Sequence, residues 1–158
     1  LYLTLIMDPI YGYQAVKVDA QVRDPSSLLN WTRQLLAVRR QHKCFGRGTL
    51  EFVRPRNRKI FAYLRSYEAQ TVLCVANLAQ TAQAAELDLS AFVGRVPVEL
   101  MGRNSFPPIG ELPYFLTLPP HSFFWLLLSE EAQPPDWHVE HLPPSELPAT
   151  RARVNTGK

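Results

Sequence analysis

Breaking a glycosidic bond asks for two carboxylates held roughly 5–10 Å apart on rigid elements, and the chain offers two pairs to test, Glu86 with Asp88 and Asp8 with Asp19. Glu86 and Asp88 alternate with Ala85, Leu87 and Leu89, so they take the outward positions of a half-buried strand and read as a solvated face. Asp8 precedes Pro9 in a turn-forming context. With Asp19 it flanks Tyr11-Gly12-Tyr13, where the two acids could line a cleft on another domain. No Gly-x-Ser-x-Gly elbow and no glycine-rich phosphate loop is present. No nucleophile, base and orienter come together, so no catalytic residue is assigned.

Cys44 and Cys74 lack the spacing of a zinc or redox motif and read as ordinary reduced thiols. His42, His121, His138 and His141 make no metal set; His138 and His141 are three apart, but the prolines around them argue against a helix presenting both. No metal and no cofactor is expected. Among the aromatic residues that could stack on a sugar ring, Trp31 and Trp125 read as core. Trp137 reads as a tether for the Pro-rich tail. Tyr11 and Tyr13, on a loop with Gln14, stay open as ligand contacts.

These side chains have to be positioned by 158 residues, 46% of them hydrophobic, enough for one core with extensions. The formal charge of +3 arises from 17 basic and 14 acidic residues. Its one local knot, Arg54-Pro-Arg-Asn-Arg-Lys59, reads as a solvated turn rather than a nucleic-acid surface. The first residues are neither basic nor long enough for a signal or a membrane span. The chain starts without Met and reads as an internal or C-terminal piece of a longer protein in a soluble, cytoplasmic setting.

Residues 1–21 show no sustained period and read as a loop. Asp24 and Pro25 then supply an N-cap and a first helical residue. Leu28, Trp31, Leu35 and Val38 fall on one stripe, widened by Leu29 and Leu36, and Gly46 and Gly48 break the helix. So wide a stripe needs more cover than the following domain can give. From Gly48 the period becomes two, with strands expected at 49–54, 59–67, 70–78, 84–89, 95–101, 114–118 and 122–129. Strands 59–67 and 70–78 form a hairpin through Glu68-Ala69. In 85–89 the leucines point inward, and Val96, Val98 and Leu100 repeat that arrangement. The segment 102–113 reads as a surface excursion. Phe123-Phe-Trp-Leu-Leu-Leu128 is apolar on both faces and should lie inside a sheet or against a neighbour. The fold class is mainly β, an antiparallel Greek-key β-sandwich preceded by a loop and one α-helix. The Pro-rich stretch 130–158 reads as an extended linker.

Several strings resemble the α-amylase superfamily, and within it the trehalose synthases (maltose α-D-glucosyltransferases). They are Asp8-Pro-Ile-Tyr-Gly-Tyr-Gln-Ala-Val-Lys-Val-Asp-Ala-Gln21, Arg23-Asp-Pro-Ser-Ser-Leu-Leu-Asn-Trp31, Leu36-Ala-Val-Arg-Arg-Gln-His42, Val72-Leu-Cys-Val-Ala-Asn-Leu78, Glu86-Leu-Asp-Leu-Ser90 and Phe106-Pro-Pro-Ile-Gly-Glu-Leu-Pro-Tyr114. The sequence departs from that pattern at Lys17 and Asp19, where Asn and Glu are expected, and at Lys43-Cys44, where Pro-Ala is usual. The resemblance implies that 1–47 ends a catalytic (β/α)8 barrel, that 48–129 is the superfamily's C-terminal β-domain and that 130–158 is a linker. It also implies a parent that interconverts maltose and trehalose by intramolecular glucosyl transfer, with its catalytic carboxylates on earlier strands. Tyr11, Tyr13 and Gln14 would lie in a substrate-proximal loop. The partners implied are that barrel, its sugars and a downstream maltokinase-like module, with no nucleic acid or membrane. Two other readings remain: a free-standing carbohydrate-binding module using Tyr11, Tyr13 or Trp137, and the C-terminal part of a related α-glucosidase.

Overall fold

The computed structural model describes residues 9, 10 and 12–137. Four helices come first: α1 (Tyr13–Val16), α2 (Val18–Arg23), α3 (Leu28–Gln41) and α4 (Cys44–Arg47). Seven strands follow: β1 (Thr49–Val53), β2 (Ile60–Tyr67), β3 (Gln70–Asn77), β4 (Gln83–Leu87), β5 (Val96–Glu99), β6 (Tyr114–Leu118) and β7 (Phe123–Ser129). They make an antiparallel five-stranded sheet in the order β1-β2-β3-β7-β5 and a two-stranded sheet of β4 and β6. The chain crosses between the sheets from β3 to β7, and β7 returns to lie between β3 and β5. The strand that is apolar on both faces is therefore interior to its sheet, as its sequence requires.

Register explains which residues fill the core, because directly opposed residues of an antiparallel pair share a face. Ala62 opposes Val75, Leu64 opposes Leu73, and Leu73 opposes Leu126. These inner residues pack against Ala85, Leu87, Leu116 and Leu118 of the smaller sheet in one buried cluster. Tyr63, Cys74 and Trp125 form the next row along, on the outer face. Asn77 joins the layers: its buried amide donates to the carbonyls of Thr81, Leu118 and Pro119 and accepts from the Ala79 N–H.

Four local expectations are corrected. The stretch before α3 is not simply a loop, since α1 and α2 lie in it; helices of four and six residues are too short to leave a period. Asp24 is not the helix cap. Its carboxylate accepts from the N–H and hydroxyl of Ser26, and Ser27 caps α3 by accepting from the Asn30 N–H. β5 is turned over relative to the alternation read from Val96, Val98 and Leu100. Val98 opposes Leu127 on the outer face, while Pro97 and Glu99 oppose Leu128 and Leu126 on the core side. The buried Glu99 carboxylate is tolerated because it accepts from the N–H groups of Met101 and Gly102. The excursion after β5 is also partly interior. Ile109 is fully buried, and hydrogen bonds pair Phe106 with Pro97 and Ile109 with Arg95, which covers the exposed edge of β5.

The break after α3 has two parts. His42 ends the helix with an extended backbone, and α4 follows as a separate turn. Gly48 is required where the chain leaves α4: a Cβ there would lie 2.5 Å from the Cys44 carbonyl oxygen and 2.8 Å from that of Ser66. Gly46 meets no such neighbour.

Candidate functional site

The outer face of the large sheet and the helix laid across it form an extended surface that combines apolar area with charge. Its helix is fixed at the N-terminal end by polar contacts. The Asn30 amide donates to the carbonyls of Gln21, Val22 and Asp24, and the Ser27 hydroxyl donates to Gln21. The Gln21 side chain in turn accepts from the Leu29 N–H and donates to Val16. These bonds close the orphan groups between α2 and α3 and set the angle at which α3 leaves.

From there α3 runs over a row of rings. Trp31 meets Phe123 edge-on at 6.2 Å, Phe123 lies 5.5 Å from Trp125, and Trp125 lies 4.6 Å from Phe45 of α4. A second row, Phe52, Phe61 and Tyr63, crosses β1 and β2 with centroids 6.0 and 5.4 Å apart. Between the helix and this second row lies a groove of about 460 Å³ with walls that include Leu35, Leu36, Leu50, Phe52 and Phe61. Its walls are wet: Phe52 is 59% exposed, Leu36 51%, Leu50 50% and Phe61 43%, and on the same helix, outside the groove, Leu28 and Trp31 are exposed as well. Of the helix stripe only Val38 is buried. Trp31, expected in the core, is therefore half-covered, with one ring edge on Phe123. Trp125 is the better-covered of the two, held between Phe45, Phe123 and the sheet.

Beneath α4 sits a compact group of titratable side chains. Cys44 and Cys74 are buried free thiols. Burial pushes both up, Cys74 to about 11, and pushes the Tyr63 hydroxyl, which hydrogen-bonds Cys74, up to about 12. Neither thiol is ionised at neutral pH, so neither is a nucleophile there. Arg65 is spent on structure, donating to the carbonyls of Cys44 and Phe45. Burial holds His42 below its ordinary range, against the opposing effect of a hydrogen bond with Gln70. Its Nδ1 is buried without a partner among the described residues.

The residues singled out from sequence are not drawn together. Tyr13 opens α1 and is 44% exposed. Gln14 lies in the same turn, its side chain outside the described residues, as are Tyr11 and Asp8 altogether. Trp137 does not tack the tail to the body; its ring is 70% exposed. Glu86 is half-buried on β4, and Asp88 is exposed, where it accepts from the N–H and hydroxyl of Ser90. His138 and His141 lie outside the described residues, among which no three His, Cys, Asp or Glu side chains cluster to hold a metal. Among them, too, no helix is long and apolar enough to cross a membrane. What the sequence reading missed is the second ring row. Leu50 and Phe52 alternate outward on β1, and that alternation was the available signal.

Comparison with known proteins supplies the context for this open surface. Residues 50–125 match the maltogenic amylase C-terminal domain. The chain is 48% identical over 134 residues to the trehalose synthase of Pimelobacter sp. (strain R48), covering 82% of this chain and 23% of that protein. It is 45% identical over 149 residues to the trehalose synthase of Thermus thermophilus, covering 90% of this chain and 15% of that one. Among solved structures, the trehalulose synthase MutB from Pseudomonas mesoacidophila MX-45 superimposes with a TM-score of 0.59 at 22% identity, over 77% of this chain and 21% of that chain, a likeness of fold. The chain thus spans less than a quarter of the length of these relatives. A β-sandwich of this topology, matched by the C-terminal domain family at its centre and by trehalose synthases over most of its length, belongs to the α-amylase family and corresponds to the C-terminal region of its trehalose synthases.

Proposed function

We propose that this chain is the C-terminal part of an enzyme that interconverts maltose and trehalose by intramolecular glucosyl transfer. In this reading it supplies no catalytic carboxylate. Its task is to cover apolar surface of a catalytic barrel and to hold α3, and with it the segment before α3, in place. The observation that carries the reading is the groove between α3 and the β1–β2 hairpin, whose aromatic and aliphatic walls are left in water. Burying such walls is the largest favourable term available to the chain, at about 25 cal/mol per Å². The length of the relatives supports a large neighbouring body as the occupant.

The division that follows assigns 1–47 to the end of the barrel, 48–129 to the sandwich and 130–158 to a linker. Tyr11, Tyr13 and Gln14 fall in the segment nearest the sugar. A cytoplasmic setting and a maltokinase-like module after the linker complete the reading. The second reading, a carbohydrate-binding module, is favoured by the exposed ring of Trp137.

Incubating the purified chain with maltose and following trehalose tests the first reading, which expects no turnover; conversion by the pure chain overturns it. Titration of the same sample with maltose, trehalose and longer α-glucans should give no saturable heat. A heat that Trp137→Ala abolishes would establish the second reading instead.

A further inference from the structure

Between Asp24 and Glu51 the chain has no acidic residue, yet it carries Arg33, Arg39, Arg40, Lys43 and Arg47. The fold gathers all five around one concavity of about 860 Å³, made by the C-terminal half of α3, the turn at His42 and Lys43, and α4. Leu36 and Ala37 form its apolar floor. The five charges exceed the net +3 of the whole chain, so the other residues sum to a net negative charge; a second group of cations, Arg54, Arg56, Arg58 and Lys59, sits at the β1–β2 turn. Among the described residues none of the five has an ion pair; the one recorded joins Arg95 to Glu130 on another part of the fold. A solvated helix face ordinarily interleaves acids at i+3 or i+4, and like charges at that spacing repel. On α3 neither Arg33 nor Arg40 has an acid at either spacing, and Lys43 and Arg47 follow beyond the break at His42 with none either. The negative end of the α3 dipole offsets only about half a charge.

We propose that this cleft is a binding site for a small anion carrying two or more phosphoryl groups. Arginine forks pair with phosphate oxygens in a bidentate fashion that a carboxylate-free surface leaves available. Arg33 and Arg40 are seven residues apart, about 10 Å along the axis, so a linked series of phosphates can pair with both ends of the row at once, whereas a single tetrahedral phosphate must draw the two side chains together. No Phe, Tyr or Trp ring lines the cleft, so the broad stacking platform that favours a nucleic-acid strand is missing. The proposal stands on this charge geometry alone and does not depend on what the parent enzyme does.

The test is calorimetric titration of the full chain with tripolyphosphate at physiological ionic strength, with orthophosphate as the second probe. Losing even one charge-assisted contact lowers affinity by at least about tenfold. We expect one saturable tripolyphosphate site, weakened by that factor or more in Arg33→Gln/Arg40→Gln. Arg54→Gln/Arg56→Gln/Arg58→Gln, which removes three exposed cations from the β1–β2 turn, should leave binding within about twofold, since only long-range screening changes. Orthophosphate should bind more weakly by about tenfold or more. All these side chains are exposed, so the variants keep the core. No saturable heat, equal weakening by the two sets of variants, or equal affinity for orthophosphate would each overturn the proposal.

Discussion

At the scale of single residues, the chain shows how buried polar groups are admitted to an apolar sandwich. Asn77 and Glu99 are both buried, and each is satisfied by backbone partners. His42 is the exception, because its Nδ1 has no partner among the described residues. Burial disfavours the imidazolium, so the unfolded chain takes up the proton first as pH falls. Stability should therefore decline as pH drops through 6.5, before carboxylates begin to protonate. The denaturation midpoint followed across that window should fall in the native chain and fall less steeply in His42→Gln. Superimposable profiles would show that the folded environment does not oppose charging.

At the scale of elements, most of the sandwich was legible because its strands alternate cleanly. The hairpin of β2 and β3 and the inward Ala85 and Leu87 of β4 follow from period two, and the interior position of β7 from its unbroken apolar run. The failures have local causes. β5 was read on the wrong face because Val96 and Val98 look like core residues, whereas an edge covered by a following loop can bury Pro97 and a satisfied Glu99 instead. The helix start was misplaced because Asp24 and Ser27 are both good caps, and only the bond from Ser26 shows that Asp24 is already occupied. Ser27→Ala should accordingly destabilise the chain by about 1 kcal/mol, and Asp24→Ala by less, in equilibrium unfolding. The reverse order would return the cap to Asp24. The open groove was half legible: the overwide helix stripe announced it, but its other wall on β1 needs the register to be known.

At the scale of the whole molecule, two surfaces carry the functional account. One is the apolar groove assigned to a barrel; the other is the cationic cleft beside it on the same helix, with Leu36 and Arg39 common to both. The smaller sheet presents a contrasting surface, since Phe115 on β6 is 66% exposed but lies apart from either. That contrast allows a direct test inside one protein. Hydroxyl-radical footprinting of the full-length parent enzyme should find Trp31, Phe52 and Phe61 protected well below the reactivity their exposure in this chain implies, while Phe115 reacts as an exposed ring. Labelling of Phe52 and Phe61 at rates matching Phe115 would mean that the groove stays open to water in the intact enzyme, and would contradict the claim that this chain works by covering a barrel.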